Sequence, residues 1–312
     1  MEPFTCTLAN GATVAGLSCI PPLVSNGPKS KPLIVGIHGG GYNSDYFHAD
    51  VRHTASIPSK AYAVPFVAVD RPCYGGTSAF DPMPDAFHFP EDTGVWIHKY
   101  ILPALWKKFG DGCHCIVLLC HSLGCQGGII TAALHAQDNE PAYPLGGLIA
   151  SGLGHRNTPI VEQAPQTQAN TGEHYLKHSI EQKDEAMFSP GTFDPEILKQ
   201  SERLDHPIPV TEANSTRAGW ETWRERWAPH VVVPVMYALV EFDFFFVGSR
   251  EHLQECVSAF SKSPRVDGSF VVGAPHCLEL SYWSHGWYAR CFGFAMECAA
   301  GHAVQEGARD AK

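Results

Sequence analysis

The chain has 312 residues, 44% of them apolar and 11% aromatic, enough to bury a sizeable core as one large domain or two ordinary ones. A formal charge of −10 with no basic patch predicts repulsion from nucleic acid and from anionic membranes, so the expected partner is a small neutral or weakly charged molecule. Eleven scattered cysteines, no leader-like pattern in Met1 to Val14 and no run near the roughly 20 apolar residues of a membrane span predict a soluble, cytoplasmic protein with reduced thiols.

Phe4 to Ile20 holds two short alternating segments around Asn10-Gly11, a dipeptide that favours a hairpin turn, and predicts antiparallel edge strands. A Pro-rich linker, Pro21 to Lys31, follows. Pro32 to Ile37 reads as a fully buried strand ending in His38-Gly39-Gly40-Gly41-Tyr42. Val64 to Val69 reads as a second, ending in Asp70-Arg71-Pro72 and then the flexible Gly75-Gly76-Thr77-Ser78. Asp92 to Phe109 has helical periodicity through Trp96, Ile97, Tyr100, Ile101 and Leu105, interrupted or kinked at Pro103.

Cys113 to Gly128, CHCIVLLCHSLGCQGG, carries the strongest local signal. Ile116 to Leu119 suits a buried strand and the small residues after Ser122 suit a closely packed helix, so Cys120-His121-Ser122-Leu123-Gly124 reads as strand, turn and helix with serine at the apex. That is the nucleophile elbow G-x-S-x-G, in which a strained turn lifts the hydroxyl clear of the sheet, here with Cys120 in place of the first glycine. A serine that only caps the helix N-terminus fits the same five residues. A zinc site from Cys113, His114, Cys115, Cys120 and His121 is disfavoured, because alternate strand side chains point to opposite faces and do not converge.

Leu145 to Ala150, Val231 to Val240 and Ser269 to Val272 are further strands. Buried strands alternating with helices predict an α/β architecture, a mostly parallel sheet covered on both faces with its site at the strands' carboxyl ends. Between Gly154 and Pro229 the strands disappear, and helical pieces such as Ile180 to Phe188 and Pro195 to Leu204 are separated by Pro and Gly. This predicts a helical cap, residues 154–229, inserted into a core formed by 1–153 and 230–312. Trp220, Trp223 and Trp227 share one helical face and either line a pocket beneath the cap or anchor it. After Ala300 a frayed, solvated tail is expected.

A serine hydroxyl is a poor nucleophile near neutral pH and needs a base within reach and a carboxylate to orient that base. One strand runs into Glu241-Phe242-Asp243 and the next into Gly273-Ala274-Pro275-His276, so an acid and a histidine both follow strand ends on the edge that carries Ser122. Glu241 and Asp243, two apart on an extended segment, would face the same side, which leaves either as the acid. A merely packed, buried His276 is the plainer alternative.

Together, Ile37-His38-Gly39-Gly40-Gly41, Asp70-Arg71-Pro72-Cys73-Tyr74-Gly75, Cys120-His121-Ser122-Leu123-Gly124, Glu241-Phe242-Asp243 and Gly273-Ala274-Pro275-His276 resemble the α/β-hydrolase family over nearly the whole chain. The resemblance implies the α/β-hydrolase fold: a mostly parallel, twisted sheet with helices on both faces and an inserted helical cap. It implies Ser122 as nucleophile, His276 as general base and then acid, and Asp243, in preference to Glu241, as the orienting carboxylate. Oxyanion donors would be the amides of Leu123 and Gly40, with Gly41 and Tyr42 as alternatives, unless these glycines only serve unusual φ values. Tyr42, His121, Trp220, Trp223 and Trp227 are the candidate substrate-binding residues. Epoxide hydrolases and haloalkane dehalogenases of similar outline carry an aspartate where Ser122 stands, which disfavours those reactions. No dinucleotide or P-loop motif occurs, and neither cofactor nor metal is expected.

The implied activity is hydrolysis of an ester, thioester or lactone of a small apolar organic substrate. The alternatives are carbon–carbon bond hydrolysis or acyl transfer by the same triad, and a non-catalytic ligand-binding protein on this scaffold. A homodimer stays open.

Overall fold

The computed structural model describes residues 1–22, 28–165 and 174–310, so part of the Pro21 to Lys31 linker, and 166–173 of the expected cap, lie outside the described residues. Strands among the described residues are β1 Glu2–Thr7, β2 Thr13–Cys19, β3 Pro32–Ile37, β4 Phe66–Val69, β5 Cys115–His121, β6 Leu145–Ser151, β7 Tyr175–Leu176, β8 Ile208–Pro209, β9 Val235–Phe242 and β10 Val266–Pro275. Eight of them form one sheet in the order β1-β2-β4-β3-β5-β6-β9-β10, and β7 and β8 pair as a separate ribbon. The β1–β2 hairpin turns at Asn10-Gly11, with Gly11 in the left-handed region, and β2 runs antiparallel to β4. All pairings from β4 to β10 are parallel, which gives the mostly parallel α/β sheet expected.

Parallel strands buried on both faces must be apolar at every position, and β3, β4, β5 and β6 are buried throughout. Leu33, Val35, Ile116 and Leu118 pack to one side with the helix Gly124–Gln137. Ile34, Val117 and Leu119 pack to the other with the long helix Ser284–Asp310. Helices thus cover both faces and leave the carboxyl ends of the strands open for loops.

The helix expected over Asp92 to Phe109 is two α-helices, Phe89–Trp96 and Leu102–Phe109, joined by a π-helical turn Ile97–Ile101 just ahead of Pro103. Proline has no N–H for the α-helical ladder, and the wider turn accommodates the gap. The tail expected after Ala300 is instead a continuation of the Ser284–Asp310 helix. Cys291, Phe292, Ala295 and Ala299 bury its first half against the sheet, and once nucleated a helix extends at little further cost.

Between β6 and β9 the chain forms short helical pieces, including Pro159–Gln163, Ile180–Met187, Val210–Ala213 and Trp223–Arg226, over the carboxyl edge of the sheet. Ile180–Met187 starts at a capping box: Ser179 Oγ accepts from the Gln182 amide at 3.2 Å, and Gln182 Oε1 accepts from the Ser179 amide at 3.4 Å. Two departures from expectation occur here. Pro195–Gln200 is a 3-10 helix, and the ribbon β7–β8 interrupts a segment expected to lack strands.

Candidate active site

Ser122 sits in the turn between β5 and the helix Gly124–Gln137 with φ +51°, a left-handed conformation that is strained for a residue with a Cβ. Its amide is held by the Ser151 carbonyl at 2.7 Å. Tight packing makes the turn possible. A Cβ at Gly124 would lie 2.4 Å from the His38 carbonyl oxygen, and one at Gly39 would lie 2.8 Å from Ser122 Cβ. Cys120, the departure from the usual glycine, points its sulfur at the helix, where a Cβ on Gly128 would come within 2.4 Å of it. Glycine at 128, on the helix face opposite, leaves the room that the Cys120 side chain takes.

The structure brings Ser122, His276 and Asp243 together. Ser122 Oγ lies 3.0 Å from His276 Nε2, and His276 Nδ1 lies 2.9 Å from Asp243 Oδ2. Ser122 and His276 are buried, and the His276 and Asp243 side chains are 0% and 2% exposed. Asp243 Oδ1 accepts from the amides of Phe245 and Phe246 at 2.8 and 3.1 Å, so the turn after β9 aims the other oxygen at the imidazole. Its Nδ1–H then donates to Asp243, which leaves the Nε2 lone pair facing the hydroxyl. Glu241 does not share that side. It is exposed, and its Oε2 accepts from the Gly273 amide at 2.7 Å.

Gly40, Leu123 and Ser122 line a cavity of about 270 Å³ whose walls are largely apolar, with Met187, Ile208 and Phe244 among them. Among the described residues, no hydrogen bond engages the amides of Gly40 or Leu123, both next to the serine. The start of the Gly124–Gln137 helix adds its partial positive charge at the same place. Gly39 is oriented by His38. The Arg71 amide donates to His38 Nε2 at 3.0 Å, so Nδ1 carries the proton and donates to the Gly39 carbonyl at 2.8 Å. Burial, and next the Arg71 charge, hold His38 well below the ordinary histidine range, which keeps it in that neutral form.

Four side chains expected to touch substrate lie elsewhere, and a fifth does not reach the cavity. Trp223 is 0% exposed, stacked on Tyr237 of β9 at 6.0 Å and tilted against Phe260 at 5.7 Å. Trp220 stacks on Trp223 at 5.9 Å, and with Trp227 they wall a separate crevice beside Phe87 and Ile130. The stripe is therefore an anchor. Tyr42 is 2% exposed, its hydroxyl 3.7 Å from Cys277 Sγ. His121, also buried, stacks on Tyr46 at 4.8 Å and supports the back of the His276 ring at 4.9 Å. Burial, then the neighbouring His276 charge, push His121 well below the usual histidine range. The wall residues that sequence reasoning missed include Phe244, Phe245 and Phe246, an aromatic run legible directly after the acid. Met187, Ile208 and Arg217 had no such signal, because only the fold places them there.

His155, His252 and Cys256 have ligand-like spacing, with ligand atoms within 4.8 Å of one another. His252 has no lone pair to offer a metal. Its Nδ1–H donates to the Val247 carbonyl at 2.8 Å, and its Nε2 accepts from the His155 and Arg156 amides at 3.1 and 3.2 Å. Among the described residues no helix is long and apolar enough to cross a membrane.

The sequence model of the alpha/beta hydrolase family matches residues 34–311. The solved structures that share the fold include three at 14% identity. The enol-lactonase from Burkholderia xenovorans LB400 superposes with a TM-score of 0.62 over 93% of this chain and 98% of its own. E-2-(acetamidomethylene)succinate hydrolase gives 0.61 over 95% and 100%, and the thioesterase domain from the curacin biosynthetic pathway gives 0.57 over 95% and 99%. No curated protein matches the chain.

Proposed function

The chain belongs to the alpha/beta hydrolase family, and on that premise we propose that it is a serine hydrolase cleaving an ester, thioester or lactone of a small, largely apolar organic molecule. One observation carries the reading: the unbroken chain from Ser122 Oγ to His276 to Asp243, at 3.0 and 2.9 Å, opening into an apolar cavity. The enol-lactonase and thioesterase among the structural neighbours are consistent with that bond class.

In the proposed reaction His276 Nε2 takes the Ser122 proton as the oxygen attacks the substrate carbonyl, and Asp243 stabilises the imidazolium through Nδ1–H. The tetrahedral oxyanion is held by the amides of Leu123 and Gly40. Collapse breaks the bond to the leaving group, which His276 protonates, and leaves the acyl group on Ser122. Water, deprotonated by His276, attacks the acyl carbon, the ester to Ser122 breaks as His276 returns that proton to Oγ, and the carboxylic acid departs. His38 acts before any of this. Because N–H and C=O point oppositely across a trans peptide, its bond to the Gly39 carbonyl turns the Gly40 N–H away from His38.

The described residues of the segment 154–229, acting as a cap, supply one wall of the cavity, and the aliphatic and aromatic lining favours an apolar acyl group. Fluorophosphonate labelling followed by peptide mapping tests the nucleophile: label on Ser122 is expected. Ser122→Ala is expected to lose turnover of p-nitrophenyl butyrate by about 10⁴-fold or more while unfolding at the parent's temperature. Retained turnover in that variant sinks the proposal.

A further inference from the structure

The loop His38 to Tyr42 is held from two layers of the molecule. The core holds one end through His38 and the Gly39 carbonyl. At the other end the Gly41 carbonyl accepts from Lys183 Nζ and, at 3.1 Å, from the His206 amide. Both of these come from the segment between β6 and β9 that lies over the cavity.

Lys183 is placed as a fixed part. It sits in the helix Ile180–Met187, 7% exposed, and its ammonium also reaches the Leu204 carbonyl at 2.8 Å and Asp205 Oδ1 at 3.3 Å. An ammonium has three protons to donate, and here three oxygens meet them. Leu204 and Asp205 alone would serve to tie this segment to itself. The third donor instead goes to the loop beside Gly40, and the charge rests 3.9 Å from the centre of the Tyr42 ring.

That loop needs restraint. Gly41 has φ +73°, and glycine visits both signs of φ about equally, so the sequence does not hold the loop in one conformation. Fixing the Gly41 carbonyl fixes the following amide, and with Gly39 held as well, the peptide between Gly40 and Gly41 has both neighbours set. The same segment also shapes the cavity. Met187 lines it from the helix of Lys183, and Ile208 lines it beside Gly41, where a Cβ would be in ordinary contact with Ile208 Cδ1 at 3.5 Å.

We propose that Lys183 is a positioning residue through which the segment over the cavity sets the oxyanion loop, so that the loop's amides are aligned only while that segment is seated. The proposal rests on Ser122 being the nucleophile.

Lys183→Met keeps the buried stem and removes the donors. With p-nitrophenyl butyrate it is expected to lower kcat by about 10- to 100-fold and to change KM by no more than about threefold, since alignment matters in the transition state and not in the bound ester. Phosphonylation of Ser122 by a fluorophosphonate should slow in parallel, and Lys183→Arg should recover most of the rate. Should Lys183→Met fail to fold, Asp205→Asn decides. It weakens the orientation of the ammonium, and a kcat loss at unchanged KM supports the proposal while a parental kcat overturns it. A Lys183→Met protein with parental kcat and labelling rate, or with its loss confined to KM, overturns this proposal alone. A parent protein that takes no label on Ser122 overturns the nucleophile reading and this proposal with it.

Discussion

The two sides of the wall around Ser122 are held by different kinds of bond. On the strand-end side the loops that carry the triad are trimmed largely by bonds to backbone: His38 between the Arg71 amide and the Gly39 carbonyl, Asp70 on the amides of Ser44 and Gly76 at 2.9 Å each, Asp243 on the amides of Phe245 and Phe246. On the opposite side the bonds are ionic and buried. Arg71 pairs with Glu212 of the helix Val210–Ala213, both side chains 1% exposed, the Tyr74 hydroxyl donates to the same carboxylate, and Lys183 reaches Asp205 and Gly41. The difference follows from what holds each side already. Loops at strand ends inherit their positions from the sheet, so neutral bonds suffice to trim them. Helices of one or two turns have no stability of their own and must be docked. Buried ions dock them cooperatively, because partial separation leaves a desolvated charge without its partner.

If that contrast holds, the largest effect on rate belongs to the strand-end side. Asp243→Asn preserves shape but offers the imidazole a donor where it needs an acceptor, and kcat for p-nitrophenyl butyrate should fall by about 10⁴-fold with the unfolding midpoint little changed. A loss below about 10-fold would remove Asp243 from its proposed role. The largest effect on stability belongs to the docked side. Glu212→Ala strands Arg71, whose Nε and Nη2 are already without partners, and should cost about 3–5 kcal/mol in urea unfolding. Survival of full stability in that variant would show that the ion pair is not what docks the helix.

The strand-end side should also be one source of acid sensitivity. Burial pushes both His38 and His121 well below the ordinary histidine range. Below about pH 6.5 the unfolded chain takes up protons that the native state refuses, so stability is full above that pH and declines as the pH falls. Each such histidine contributes a slope of up to about 1.4 kcal/mol per pH unit. Urea midpoints at pH 7.5 and 5.5 should show the decline, and His38→Gln should flatten it. An unchanged slope in that variant would mean that His38 already titrates in the native state.

The same division explains what could be read from the sequence. The strand-end side is written in short local patterns: an apolar run fixes a strand, the next few residues fall on its carboxyl end, and Ser122, Asp243 and His276 were legible for that reason. The Cys120 substitution was legible only as a departure, since its compensation, Gly128, lies a helical turn beyond the elbow. The docked side depends on contacts between residues far apart in the chain, such as Arg71 with Glu212 and Lys183 with Gly41, and no periodicity encodes them. The tryptophan stripe shows the limit well. The expected single helical face is instead two short turns that bring the three rings to one crevice, and spacing cannot say whether such rings meet a ligand or, as Trp223 does, the Tyr237 and Phe260 rings.

The smallest expected effect sharpens the boundary of the strand-end machinery. Glu241 and Asp243 look interchangeable in sequence, yet β9 ends between them at Phe242, and the turn that follows buries Asp243 while Glu241 stays in solvent. Glu241 keeps one bond, to the amide of Gly273, a residue at φ +76° three positions before His276. Glu241→Gln retains an acceptor for that amide and loses only an exposed charge, whose interactions are screened by water and salt. Activity should therefore stay within about threefold of the parent, against the 10⁴-fold loss expected of Asp243→Asn. A large loss in Glu241→Gln would mean that the bond to Gly273 positions the whole strand end carrying His276, and would extend the catalytic side of the comparison outward to a residue in solvent.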